Sequence, residues 1–302
     1  MPLRTVKQET TEKLVLEWAL HVKDYKLTLD KNRCVGCQIC SLACPKQAIT
    51  TAKPAKTEGQ KTRRAKIDID LAKCNFCGIC DAACIYGAIN LTIDGKRSLP
   101  IIEKQSFPPL RRDIQINPDK FPKDTKQTED ACPLALIKIA QSTSTGNQIE
   151  KNKIEVTIDK DHCPCCTICQ TKLPEGAINV HRIITGKLTI NQSKCPTDCT
   201  DCLDTCPITG ALYLSKQDNK VYANETLCVY CGTCKLACPR DEALTLKRTG
   251  INHTPIRSGA WNQALERLTS PTDLTKELKT KISEKAMEAV RKRTTLEEKQ
   301  TA

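Results

Sequence analysis

The stretch "CVGCQICSLACP", residues 34–45, sets four cysteines at intervals of three, three and four residues and closes on a proline. "CVYCGTCKLACP" (228–239) repeats that spacing, and "CNFCGICDAACI" (74–85) repeats it with Ile85 in the place of proline. "CPCCTICQTKLP" (163–174) keeps Cys163, Cys166 and Cys169 but has Leu173 in the fourth place. "CPTDCTDCLDTCP" (195–207) has Cys195, Cys199, Cys202 and Cys206, with one extra residue in the first gap. It lies without a gap over "FPKDTKQTEDACP" (121–133), where Cys206 falls on Cys132 while the other three cysteines fall on Phe121, Thr125 and Thr128. The isolated Cys132 therefore reads as the last member of a motif that lost its first three.

Each motif follows an octet of one shape: "LTLDKNRC" (27–34), "IDIDLAKC" (67–74), "IQINPDKF" (114–121), "VTIDKDHC" (156–163), "LTINQSKC" (188–195) and "VYANETLC" (221–228). Period-two alternation before an Asp or Asn turn predicts a short strand with one buried face. A second apolar patch follows each motif, as in "CPKQAIT" and "CIYGAIN". The unit is strand, cysteine loop, short helix and second strand; six units, paired, predict an α+β array of three tandem modules.

Composition agrees with a fold held by metal. The 302 residues include 21 cysteines but only 3% aromatic residues, too few for one large apolar core. No signal peptide or long apolar run is visible, which predicts a cytoplasmic chain without a membrane span. In a reducing compartment dense cysteine points to metal rather than disulfides. The formal charge of +12 counts every cysteine as neutral. Five oxidised cubane clusters at about −2 each would bring it to roughly +2, so the basic excess compensates internal charge. No recognition motif supports a nucleic-acid partner.

The spacing resembles the run by which bacterial-type ferredoxins hold cubane [4Fe–4S] clusters. Three closely spaced thiolates wrap three corners of the cube, and the fourth cysteine points away to serve the neighbouring cluster. The degenerate repeats discriminate. If each motif served its own cluster, both middle clusters would be damaged. If ligation crosses, one middle cluster keeps Cys163, Cys166, Cys169 and Cys132, and the other loses all four ligands at Phe121, Thr125, Thr128 and Leu173. Phe121 and Leu173 supply apolar volume for the space of the lost cluster. The remaining sets are then Cys34, Cys37, Cys40 and Cys84; Cys74, Cys77, Cys80 and Cys44; Cys195, Cys199, Cys202 and Cys238; and Cys228, Cys231, Cys234 and Cys206. Cys165 is left over and is expected to be a spare thiol pointing outward, the alternatives being a ligand swap or a redox-sensitive site. His162 is expected behind or outside the sulfur ligands.

Over residues 27–248 the chain resembles the polyferredoxins, tandem arrays of two-cluster ferredoxin modules that carry electrons in anaerobic archaea and bacteria. Within that group it is similar to the polyferredoxin subunit of formylmethanofuran dehydrogenase in methanogenic archaea. The resemblance implies a non-catalytic subunit with five [4Fe–4S] clusters, partnered by a molybdenum or tungsten enzyme, a hydrogenase or a heterodisulfide reductase assembly. Three modules and one lost cluster set this chain apart from that subunit. Two alternatives for the path follow: the middle cluster alone bridges the outer modules, or the path is interrupted there.

Rival classes fit less well. Cys195, Cys199 and Cys202 have the spacing of radical S-adenosylmethionine enzymes, but Cys238 is available as a fourth ligand and the module is far smaller than a barrel. Zinc sites favour two cysteine pairs across a longer loop. No Gly-rich nucleotide loop suggests a catalytic reductase.

The expected organisation is an N-terminal helix over 1–26, from Leu14, Trp18 and Val22 at four-residue spacing; module one over 27–97; an extended proline-containing linker over 98–113; module two over 114–186; module three over 187–249; and a helical C-terminal extension over 250–302. In that extension one helix should bury Trp261, Ala264, Leu265 and Leu268, and another should start near Ser270-Pro271 and carry Leu274, Leu278, Ile282 and Ala286. The basic stretch 51–66 reads as an exposed hairpin or loop.

Overall fold

The computed structural model describes residues 3–53, 64–122, 125–142, 153–240 and 242–269. Its N-terminus is a hairpin and not the expected helix. Strand β1 (Arg4–Glu9) pairs with β2 (Lys13–Ala19), which pairs with β3 (Asp24–Asp30). Four-residue spacing is also a multiple of two, so Leu14 and Trp18 suit one face of a strand as well as of a helix. Leu16, between them, decides the matter: Leu14 and Leu16 are 1% and 0% exposed, whereas Val22 is 85% exposed in the turn before β3.

From β3 onward the expected unit recurs six times. The first two units are β3, α1 (Ile39–Ala43) and β4 (Ile49–Ala52), then β5 (Lys66–Ile69), α2 (Ile79–Ala83) and β6 (Ile89–Ile93). After β7 (Lys96–Arg97) and α3 (Pro100–Glu103) come β8 (Ile114–Ile116), α4 (Thr125–Glu129) and β9 (Ile137–Ser142), then β10 (Lys153–Ile158), α5 (Ile168–Lys172) and β11 (Ile178–Val180). The last two are β12 (Ile184–Ile190), α6 (Asp201–Thr205) and β13 (Leu212–Leu214), then β14 (Val221–Ala223), α7 (Thr233–Ala237) and β15 (Leu244–Ile251).

In every pair of units the outer strands join each other and so do the inner ones. β3 pairs with β6 and β4 with β5; β8 with β11 and β9 with β10; β12 with β15 and β13 with β14. Each unit is thus folded crosswise over its partner, which sets the cysteine loop of one beside the helix end of the other. Helices of one turn are too short to persist alone, so tertiary contacts and bound groups must hold them. The N-terminal hairpin extends the first pair into a five-stranded sheet ordered β1-β2-β3-β6-β7.

Residues 98–113 are packed, in contrast to the expected extended linker. Pro100 opens α3 at its first turn, where proline costs no hydrogen bond. Phe107 is 1% exposed and meets Trp261 edge to face at 4.9 Å between ring centres. Trp261 belongs to α8 (Gly259–Thr269), which buries Trp261, Ala264 and Leu268 as expected and leaves the fourth expected residue, Leu265, half-buried. Arg111 N–H donates to Asn252 O at 3.0 Å, so linker and C-terminal extension clamp each other. The helix expected from Ser270-Pro271 lies outside the described residues, as does most of the 51–66 stretch, whose ends sit in the paired strands β4 and β5. No helix among the described residues is long and apolar enough to cross a membrane.

Candidate metal centres

Each loop whose first three cysteines lie three residues apart turns twice through left-handed backbone before its helix. The first turn falls at Gly36, Phe76, Cys165 and Tyr230, with φ of 68°, 52°, 56° and 52°. The second falls at Gln38, Gly78, Thr167 and Gly232, with φ of 65°, 84°, 65° and 95°. Glycine at position 36 is steric as well, since a Cβ there would sit 2.6 Å from Ala65 O. These reversals curl the first three cysteines around a common space.

The fourth cysteine then leaves that space. Each helix ends on it with extended backbone, φ and ψ being −71° and 113° at Cys44, −66° and 120° at Cys206, and −62° and 124° at Cys238. The following proline disfavours helical backbone in the residue before it. Cys84 takes the same turn (−75°, 108°) ahead of Ile85, so proline assists the exit without being required.

The departing sulfurs arrive among the cysteines of the partner unit. Three small cavities lie beside four cysteines each: Cys163, Cys166, Cys169 with Cys132; Cys74, Cys77, Cys80 with Cys44; and Cys228, Cys231, Cys234 with Cys206. Cys40 is fully buried, which pushes its thiol well up, and its sulfur neighbours include Cys37, Cys84 and Cys34. Burial, then Cys238, Cys199 and Cys195, push Cys202 up to about 12. All five expected groups are thus brought together, each mixing three sulfurs of one unit with one from its partner.

Cys132 is cradled like its counterparts. Its Sγ accepts the N–H of Leu136 at 3.4 Å, as Cys44 accepts that of Ala48 at 3.4 Å and Cys84 that of Ala88 at 3.2 Å. Burial raises Cys166 to about 11 and Cys169 to about 12. Metal must displace these protons, because only thiolates ligate. Among the described residues no three His, Cys, Asp or Glu side chains converge as a single metal ion requires. Four sulfurs spread around one space, rather than converging on a point, suit a cluster.

At the other half of the middle pair, Phe121, Thr128 and Leu173 are 8%, 0% and 7% exposed, with Phe121 and Leu173 in one apolar core. The side chain of Thr125 lies outside the described residues.

Two expectations need correction. Cys165 does not point outward; it is 0% exposed. It occupies the first left-handed position of its loop, whose occupants Phe76 and Tyr230 are also buried, at 3% each. The Cys165 thiol donates to the Cys163 carbonyl oxygen at 3.9 Å, and the closeness of the two thiols lowers Cys163 and raises Cys165. Aligning Gly36, Phe76, Cys165 and Tyr230 would have revealed a position that faces inward. His162 Nδ1 pairs with Asp159 Oδ2 at 2.6 Å.

The second correction concerns the route, for the outer units touch directly. Thr233 Oγ1 donates to Val35 O at 3.1 Å. Burial and then Cys231, ahead of its own loop's Cys34, push Cys37 well up. Arg112 reaches the middle unit, donating to Cys163 O at 3.2 Å and Cys84 O at 3.1 Å. The group of Cys34, Cys37, Cys40 and Cys84 therefore borders both other pairs, and the middle pair lies beside the first–third contact. The sequence offered no sign of Arg112, Tyr86 or Arg248, which meet these sulfur groups only through tertiary packing.

Residues 33–88 match the 4Fe-4S dicluster domain family. Over 101 residues the chain is 32% identical to the polyferredoxin-like subunit of an aliphatic sulfonate oxidoreductase of Pyrococcus furiosus; the match spans 30% of this chain and 56% of that relative. The structure resembles a chain of the formate dehydrogenase–heterodisulfide reductase–formylmethanofuran dehydrogenase complex of Methanospirillum hungatei, with a TM-score of 0.76 and 27% identity, over 89% of this chain and 92% of that one. Sulfur groups, crossed strand pairs and these likenesses support an iron–sulfur protein with a 4Fe-4S dicluster domain over residues 33–88. Within that class they support a polyferredoxin.

Proposed function

We propose that the chain is the iron–sulfur electron-transfer subunit of an oxidoreductase complex, built of three tandem ferredoxin modules that hold five [4Fe–4S] clusters. The observation that carries the reading is the meeting of Cys132 with Cys163, Cys166 and Cys169 around a cavity like those of two complete groups. A cubane cluster takes up and gives back one electron at a potential set by its surroundings, without making or breaking a bond to substrate.

The chain's own contribution is to hold and shield that group. Curled loops fix three sulfurs, the turned-out fourth cysteine ties the two units of a module together, and backbone N–H groups at Cys44, Cys84 and Cys132 stabilise thiolate charge. Apolar residues such as Leu136, Ile137 and Val180 around the Cys132 group keep water out. The contact of Cys37 with Cys231 supports a path between the first and third modules that does not cross the vacant half of the second.

The complex we infer is one of the formylmethanofuran dehydrogenase kind, with a hydrogenase or heterodisulfide reductase assembly as the alternative. The Methanospirillum hungatei complex supports both, since it joins formylmethanofuran dehydrogenase and heterodisulfide reductase in one assembly. Anaerobic purification tests the reading: about 20 iron and 20 sulfide per chain and broad absorption near roughly 400 nm are expected. Colourless protein holding zinc would refute it. Co-purification from the native source identifies the partner.

A further inference from the structure

Among the described residues, a buried cation without a counter-ion and a buried hydroxyl without a hydrogen-bond partner converge on the contact between the first and third modules. Arg248, on β15, is 7% exposed. Its guanidinium donates to three backbone carbonyls, Tyr230 O at 2.9 Å, Cys231 O at 2.7 Å and Leu268 O at 3.3 Å. None of these carries a charge, and among the described residues the titratable neighbours of the guanidinium are the sulfurs of Cys37, Cys231 and Cys234. A buried cation without a counter-ion is strongly disfavoured. A Cβ on Gly232 would lie 3.1 Å from Arg248 Nη2 and 3.7 Å from Cys37 O, so the guanidinium lies close to the neighbouring module's loop.

The second group is the Tyr86 hydroxyl. Tyr86 is 4% exposed, and its buried oxygen has no hydrogen-bond partner of good geometry. It faces the sulfurs of Cys231, Cys37 and Cys206. Buried hydroxyls are seldom left unpaired, and such an orphan points to an acceptor that arrives with a bound group. Tyr86 comes from the first module and Arg248 from the third, yet both address Cys231.

We propose that Arg248 and Tyr86 set the reduction potential of the cluster held by Cys228, Cys231, Cys234 and Cys206, Arg248 as its buried counter-charge and Tyr86 as O–H donor to Cys231 Sγ. This rests on the cluster reading above. Each electron added makes the site more negative, so a fixed cation and a donor to sulfur both favour the reduced form and raise the potential. Tyr86 makes that setting conditional on the contact with the first module. Both are positioning residues, since iron is held by sulfur alone.

The test is a redox titration of anaerobically purified holoprotein, followed by electron paramagnetic resonance, with iron counted per chain. Tyr86→Phe removes only the hydroxyl. We expect iron to stay at about 20 while one couple moves to lower potential, the reduced fraction at fixed potential falling several-fold. Arg248→Met should lower the same couple further, by at least tenfold in that ratio, about 59 mV for one electron. Arg248→Lys, which keeps the charge, should restore most of it. Should Arg248→Met lose iron, Tyr86→Phe and Arg248→Lys decide. Full iron with every couple unchanged in Tyr86→Phe overturns the assignment of the hydroxyl. An unchanged titration in a fully loaded Arg248→Met overturns that of the counter-charge. Wild-type protein without iron–sulfur absorption would instead overturn the functional reading beneath it.

Discussion

Phe121, Thr125, Thr128 and Leu173 stand where cysteines stand in the other pairs of units, so replacing all four with cysteine should rebuild a sixth cluster. Phe121 and Leu173 are 8% and 7% exposed in a shared core, and truncating two such side chains costs about 5 kcal/mol together. That is comparable with the whole stability of many domains, roughly 5–15 kcal/mol. The unloaded variant should therefore unfold at markedly lower denaturant than the parent, and reconstitution with iron and sulfide should return most of the loss. Iron should rise from about 20 to about 24 per chain. The informative control is the triple variant that keeps Leu173. If ligation crosses, Cys132 already serves the other cluster and the triple variant has three ligands for a new cube, so it gains no complete one. A triple variant that gains four iron, with no further gain from Leu173→Cys, would mean that each unit serves its own cluster, and the reasoning fails.

Three further outcomes follow from the packing. Cys165→Ala should leave iron at about 20 and lower stability by about 1–2 kcal/mol, as loss of one buried group does; a drop of four iron by metal analysis would make Cys165 a ligand. Trp261→Ala should cost about 3–5 kcal/mol in denaturant unfolding, because its ring closes the clamp on Phe107; a change under about 1 kcal/mol would show that the clamp does not hold the modules. Leu16→Ala, at a side chain 0% exposed, should cost about 2–5 kcal/mol by the same assay and loosen the N-terminal hairpin against proteolysis, whereas an exposed helical residue would give almost nothing.

Much of the fold was legible because it is local and repeated. The octets before each motif place β3, β5, β8, β10, β12 and β14, and the trailing proline marks where the helix must stop. The proposed crossed ligation rests on a different signal: the losses at Phe121, Thr125, Thr128 and Leu173 match one cluster when sulfurs are exchanged and none when they are not. Where the reading failed, the sequence signal had two physical solutions. Leu14 and Trp18 at four-residue spacing fit a helix or a strand, and only the burial of Leu16 separates them. Cys165 reads as surplus until its left-handed backbone is known, with φ at 56° turning the side chain inward.

The contacts between modules were hidden altogether. In "LTLKRTGI" Arg248 is one of two adjacent cations on a strand, and nothing nearby says that it ends beneath Cys231 and close to Cys37. Under the proposal above, Arg248 is one buried site at which part of the +12 formal charge would offset a cluster. The direct contact of the outer modules likewise depends on Thr233 meeting Val35 across 198 residues of chain.

Counting iron in Cys132→Ala, beside the wild type, examines the exchange of ligands most directly. The solitary cysteine belongs to a unit that has lost its other three, so under this account its removal damages the cluster of Cys163, Cys166 and Cys169. Iron should fall by between one and four per chain from about 20. Unchanged iron, with the spectrum of the parent, would contradict the account at its root.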